Sequence, residues 1–311
     1  MPRIGNTRDG AVVMMTFFKI LKPRVSPLVR AMAGFALLAP LAGCSDPEAA
    51  KAVQFDYAGK AAGWPTCQSP KAGTGTQPGE VATAAGTRIV VKTPTNYRAD
   101  IAHPLLVLYA AGGQDAEDAE RSYEITRKAT ARGYVVASVD DKQPLPETVV
   151  DMAGVPKAVA KSWCIDESRI FATGHSNGGL YSNAVAFYPD ARGAFRAIAP
   201  SAAGVQKQDL KDYNCPKPTP VKIYHGAYDM GFSGWGRGVA EWWAECNSCK
   251  GEKPLEGEEG CVVFQDCAQG GETIYCEGPW LHMMWPGRST EILEFFDNYG
   301  SRSSGTPPPA G

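Results

Sequence analysis

Arg169-Ile170-Phe171-Ala172-Thr173-Gly174-His175-Ser176-Asn177-Gly178-Gly179-Leu180 is the stretch on which the reading of this 311-residue chain turns. Residues 169–173 are short and β-rich, and residues 179–188 carry helical spacing. The Gly-x-Ser-x-Gly between them therefore sits on a strand-to-helix turn. A turn that sharp holds its central residue, Ser176, in a strained backbone conformation. Side chains two residues to either side would collide, so Gly174 and Gly178 are what the geometry demands. The turn lifts the serine hydroxyl above the sheet edge and aims a helix N-terminus at an oxygen that gains negative charge.

A serine nucleophile needs a base, and the chain offers four histidines. His103 precedes a strand start, the wrong end of a parallel sheet for chemistry. His175 adjoins Ser176, where the turn should point the two side chains apart. His225 ends a strand and reads as a satisfied near-core residue. His282 remains, in the loop Trp280-Leu281-His282-Met283-Met284-Trp285-Pro286-Gly287. The acid that holds the imidazole should follow a strand end between these two partners. Asp229, in Tyr224-His225-Gly226-Ala227-Tyr228-Asp229, fits best. Asp190, Asp209, Asp212 and Glu241 read as surface charges, while Asp266 in the cysteine-rich segment stays open. Two backbone N–H groups must receive the oxyanion. Asn177, just after the nucleophile, supplies one, and Ala111 or Gly112 in Ala110-Ala111-Gly112-Gly113 the other.

Around these residues strands alternate with helices. Strands are predicted at 88–92, 104–109, 134–139, 169–173, 195–200 and 221–225. Helices are predicted at 119–132, 147–163, 179–188, 239–246 and 291–299. That alternation implies an α/β fold, a mostly parallel sheet with helices on both faces. The composition, 44% hydrophobic and 21% charged, excludes a disordered, collagenous or polytopic membrane chain. Of the 31 basic and 33 acidic side chains, six basic and one acidic fall in residues 1–44. The rest carries a net −7, which gives nucleic acid no electrostatic footprint.

The N-terminal stretch reads as an address. Basic Lys19, Lys22, Arg24 and Arg30 precede an uncharged run over residues 31–45, too short to span a bilayer permanently. It ends in Leu41-Ala42-Gly43-Cys44, which resembles the bacterial lipobox. The expected organisation is a signal peptide at 1–43 (with Met14 or Met15 as an alternative start), lipidation at Cys44, and a tether over 44–62. A folded body at 63–300 and a tail at 301–311 follow. Ser45 after the Cys favours the outer membrane by resemblance to sorting rules. Eight further cysteines, an even number in an exported chain, suggest disulfides, though 105 pairings are open. Cys246-x-x-Cys249 raises zinc as a rival. A second close Cys or His pair is missing, so disulfides are favoured and no metal is expected.

With these parts assembled, residues from about 65 to 300 resemble the polyhydroxybutyrate depolymerase and feruloyl esterase-like group of α/β-hydrolases. The carriers are residues 104–113, 169–179, the His-Gly-x-x-Asp of 225–229, Cys249 after Asn247-Ser248, and His282 ahead of Trp285-Pro286-Gly287. The order Ser176, Asp229, His282 is that fold's order. Departures cluster around the expected cleft. Tyr109-Ala110 stands where His-Gly is usual, and two residues rather than one separate His282 from Trp285-Pro286. Met230-Gly231-Phe232 replaces a Val-Pro, and Cys246, Cys261 and Cys267 look like additions. The resemblance implies a Cys249–Cys276 bridge.

The expected protein is an exported, lipid-anchored serine carboxyl-ester hydrolase that needs no cofactor. Feruloyl or acetyl-xylan esterase and polyester depolymerase are alternatives within the group, with feruloyl-type esters near plant polysaccharide favoured. Trp235, Trp242, Trp243 and Trp285 either line the cleft or fill the core. The competing reading is a non-catalytic cell-surface lipoprotein that keeps the hydrolase frame for binding.

Overall fold

The computed structural model describes residues 54–300. The signal segment, Cys44 and the tail at 301–311 lie outside the described residues. Residues 54–62, expected within the tether, are anchored to the body through the buried Phe55 and Ala61. Phe55 is buried and stacks on Trp64 at 5.1 Å, and its backbone N–H and C=O both pair with the Asn96 side chain. Asp56 caps the short helix α1, Tyr57–Lys60. An apolar ring with a place to bury keeps this segment on the body.

Ten strands form one sheet, in the order β1-β2-β4-β3-β5-β6-β7-β10-β9-β8. The strands are β1 Gly79–Ala82, β2 Arg88–Lys92, β3 His103–Tyr109, β4 Val135–Val139, β5 Ile165–His175, β6 Ala197–Ser201, β7 Pro220–Gly226, β8 Glu252–Pro254, β9 Cys261–Phe264 and β10 Glu272–Gly278. From β4 through β3, β5, β6 and β7 to β10 every pairing is parallel, while both flanks are antiparallel. β3, β4, β6 and β7 are buried at every position, as strands covered on both faces must be.

One face is closed by α2 (Ala116–Tyr123), α3 (Thr126–Thr130) and α9 (Ser289–Asn298). Their Ala119, Tyr123, Ile292, Leu293 and Phe296, with Ile125 between the first two helices, join Leu106, Leu108 and Phe171 in one core. Away from this cluster lie α4 (Pro146–Ala153), α5 (Val155–Val159), α6 (Asn177–Phe187), the short α7 (Lys207–Leu210) and α8 (Trp235–Cys246). Among these, Trp243 Nε1 donates to Asn183 Oδ1 at 2.7 Å in the interior.

Two helices expected as continuous are broken. The 119–132 pattern divides at Glu124, whose φ of 50° is left-handed. The 147–163 pattern divides at Gly154, just before Pro156. The four cysteine pairs are Cys67–Cys164, Cys215–Cys246, Cys249–Cys267 and Cys261–Cys276. The expected Cys249–Cys276 bridge is corrected. Cys276 on β10 stands directly opposite Cys261 on β9 in the antiparallel register, so that pair forms. Cys249, beyond the end of α8, closes on Cys267 instead. Neither Cys246 nor Cys249 offers a free thiolate to zinc. Glu258 lies close to Cys261 and Cys276, but those two sulfurs are bonded to each other. No helix of the described residues is long and apolar enough to cross a membrane.

Candidate active site

Four carboxyl ends of parallel strands meet at one edge. After β3 comes the Ala110–Gly113 loop, after β5 Ser176, after β7 Asp229 and after β10 the His282 loop. This is where an open α/β sheet places its ligand crevice.

Ser176 lies between β5 and α6 with φ 56° and ψ −115°, a conformation that side chains rarely adopt. Its neighbours explain how the strain is held. Ser176 N–H donates to Ser201 O on β6, and Leu180 N–H returns to Ser176 O. A Cβ on Gly178 would stand 2.1 Å from Tyr109 O, and one on Gly174 2.6 Å from the Gly178 backbone. The small residues flanking the serine are thus required by contact with β3 and with each other.

Ser176 Oγ lies 2.9 Å from His282 Nε2, and His282 Nδ1 lies 2.8 Å from Asp229 Oδ2. The three side chains chosen from sequence are brought together as one relay. The carboxylate can only accept, so Nδ1 carries the proton and Nε2 faces the serine with its lone pair. Asp229 is buried, and its second oxygen accepts N–H bonds from Gly231 at 3.1 Å and Phe232 at 3.0 Å. Met230-Gly231-Phe232 therefore does what its departure from pattern put in question, since its turn holds the carboxylate. A Cβ on Gly226 would meet Trp280 O at 2.1 Å, so the acid's strand packs tightly under the histidine's loop. Of the rival acids, Asp190, Asp212 and Asp266 are exposed, and Glu241 pairs with Lys207 and Arg237. Asp209 closes a capping box on α7.

The other histidines are accounted for. His103 is buried at the opposite end of the sheet, bonded to Gly133 O and Arg98 O. His225 is buried with Nε2 on Phe232 O at 2.8 Å. His175, whose side chain the sequence set apart from that of Ser176, reaches the base's loop instead. Its Nε2 reaches His282 O at 2.5 Å and its Nδ1 meets Ser201 Oγ at 3.0 Å.

Asn177 opens α6, so its backbone N–H has no partner within the helix. In the facing loop, Gly113 N–H donates to Asp141 Oδ2 at 2.8 Å, while Asp141 Oδ1 accepts from Asn177 Nδ2 at 3.3 Å. Asp141 thus ties the two expected oxyanion segments together, and burial pushes its carboxyl above the usual range. Tyr123, buried beneath, accepts His175 N–H and donates to Tyr109 O. Burial raises its hydroxyl pKa strongly, so it stays protonated. Sequence reasoning passed over Asp141, Tyr123 and Ser201. Asp141 alone carried a signal, because it follows the end of β4 on the site's edge.

The tryptophans divide. Trp242 and Trp243 are core. Trp285 stacks on Tyr123 at 4.4 Å, and Trp235 packs on Phe232, whose ring lies edge-on to His282 at 4.7 Å. Among the described residues six large hydrophobic side chains are exposed. Five of them (Tyr228, Met230, Leu281, Met283 and Met284) lie within two positions of Asp229 or His282.

No family model matches the chain. It is 27% identical over 225 residues to feruloyl esterase B of Piromyces equi, covering 61% of this chain. It spans only 41% of that relative's length. Among solved structures, the acetyl xylan esterase from Aspergillus awamori superposes with a TM-score of 0.56 at 14% identity. That match covers 71% of this chain and 99% of the other. The chain has the α/β-hydrolase fold, and it is similar in sequence to a feruloyl esterase.

Proposed function

We propose that the protein is a serine carboxyl-ester hydrolase working through an acyl-enzyme on Ser176. The observation that carries this reading is the relay of 2.9 Å and 2.8 Å assembled on a strained strand-to-helix turn. His282 Nε2 takes the hydroxyl proton as Ser176 Oγ bonds to the ester carbonyl carbon, and Asp229 stabilises the imidazolium that forms. The carbonyl oxygen, now negative, is received by backbone N–H groups. Asn177 provides one. Ala111 or Gly112, in the facing loop after β3, provides the other. Collapse of the intermediate breaks the bond to the alkoxy oxygen, and His282 returns its proton to the departing alcohol. Water then attacks the acyl-enzyme by the same route and restores Ser176.

The substrate proposed is an ester with an aromatic or otherwise apolar acyl group, of feruloyl type, attached to polysaccharide. The exposed side chains flanking Asp229 and His282 support an apolar acyl group, and the similarity to feruloyl esterase B supports its kind. Four disulfides support life in an oxidising compartment. Attachment to a cell surface through lipid on Cys44 belongs to the same proposal. Incorporation of labelled fatty acid, abolished by Cys44→Ala, would test that part.

The deciding experiment compares purified wild type with Ser176→Ala on methyl ferulate, acetylated xylan and a short-chain polyester. Hydrolysis of methyl ferulate by wild type alone is expected. Equal rates for the two proteins, or no turnover of any ester and no labelling by an organophosphonate, would overturn the proposal.

A further inference from the structure

The base loop is held from an unexpected side. His175 is the last residue of β5 and the direct neighbour of Ser176, and it is only 6% exposed. Its Nε2 lies 2.5 Å from the main-chain oxygen of His282. A carbonyl oxygen can only accept, so Nε2 carries the proton. The neutral ring then presents Nδ1 as an acceptor, and Ser201 Oγ stands 3.0 Å from it. Ser201 ends β6 and pairs in register with His175 on β5. A chain of two hydrogen bonds therefore runs from one strand end, through the strand end that bears the nucleophile, into the backbone of the base.

His282 is thus gripped twice. Asp229, beyond β7, fixes its imidazole, and His175, at the end of β5, fixes its carbonyl. The second grip starts one residue from Ser176, so the height of the base above the hydroxyl is set from the nucleophile's own strand. We infer that His175 is a positioning residue, a second histidine that holds the first in register with Ser176.

The neutrality of the ring matters to this role. The groups that face it are His282, Asp229, His225, Ser201 and Trp285. Burial is the largest cause lowering its pKa to about 4, so it stays uncharged beside a His282 that becomes cationic in each turnover. A charged ring would oppose that cation.

The inference rests on the esterase reading, and one experiment separates the two. His175→Gln places an amide donor near the former Nε2, whereas His175→Asn is too short to reach His282 O. kcat and KM are measured on a p-nitrophenyl ester for wild type, both variants and Ser176→Ala, with thermal melts and the rate of organophosphonate labelling alongside. His175→Asn should lose about 30- to 100-fold in kcat with KM changed less than about threefold, the scale on which a small misplacement of a catalytic group acts. His175→Gln should recover to within about fivefold of wild type, and labelling rates should follow kcat. Equal losses in the two variants, kcat within about threefold of wild type for His175→Asn, or a change confined to KM would overturn the positioning role. Should His175→Asn fail to fold, Ser201→Ala takes its place, with a loss of several-fold in kcat expected and wild-type kcat overturning the inference. Inactive wild type would instead overturn the esterase reading. In that case the inference passes to the low-field proton resonance of the His282–Asp229 bond, which should shift in His175→Asn and stay in His175→Gln. An unchanged resonance in both would overturn it.

Discussion

At the scale of single residues, the contact between Gly178 and Tyr109 O couples backbone shape to chemistry. A methyl at Gly178 would stand 2.1 Å from a main-chain oxygen that cannot move without shifting the oxyanion loop. Gly178→Ala should therefore cost about 1–3 kcal/mol of stability and most of the proposed ester hydrolysis, read by urea midpoint and initial rate. Asp229→Asn keeps the shape of the relay but reverses the proton preference at His282 Nδ1. A fall in kcat of about 10³- to 10⁴-fold with a native melting curve is expected. Asp141→Asn, which weakens the tie between Gly113 and Asn177, should lower kcat by about tenfold and leave KM nearly unchanged. Ser176 and Asp229 were legible in the sequence because each follows a strand predicted there, and His282 because elimination among four histidines left it. Tyr123, Ser201 and the role of His175 were not. Their partners (Tyr109 O, His175 Nδ1 and His282 O) lie across neighbouring strands and loops, which no local spacing encodes.

At the scale of elements, hydrophobic runs located the buried parallel strands closely, since strands covered on both faces have an almost wholly apolar sequence. The flanking strands β1, β8 and β9 escaped notice, being three or four residues long, and so did β10, whose seven residues include Glu272 and Glu277. Helix ends were blurred where Gly154 or the left-handed Glu124 interrupted an unbroken apolar pattern. The β9–β10 ribbon shows why bridge partners could not be read from spacing, because Cys261 meets Cys276 only through strand register. That bridge spans 15 residues just ahead of the His282 loop. Its removal as Cys261→Ser/Cys276→Ser should cost about 3 kcal/mol, seen as a lowered urea midpoint. Activity should fall with it at temperatures where the ribbon loosens.

At the scale of the whole molecule, three buried histidines shape the response to acid. Burial lowers the pKa of His103, His175 and His225, that of His175 to about 4. Between the ordinary histidine value and these lowered values, the unfolded chain binds protons that the folded chain refuses. Stability is therefore complete above the unfolded pKa and is lost as pH falls. At pH 5 His175 alone should account for roughly 2 kcal/mol. Urea midpoints at pH 7 and pH 5 should differ in wild type and differ less in His175→Gln. Identical differences in the two proteins would count against a neutral His175.

The four bridges also carry a consequence for biogenesis. Numbered along the chain after Cys44, Cys67–Cys164 and Cys215–Cys246 are successive thiols, whereas Cys249–Cys267 and Cys261–Cys276 interleave. If the chain is exported and lipidated at Cys44 as proposed, an oxidase joining thiols in order of arrival would make the first two bridges correctly and then trap Cys249 with Cys261. On that proposal, maturation would call for a shuffling catalyst that reopens the wrong bond and hands each sulfur to its proper mate. Cells lacking such an isomerase should accumulate mispaired, protease-sensitive chains, while cells that retain it release the active form.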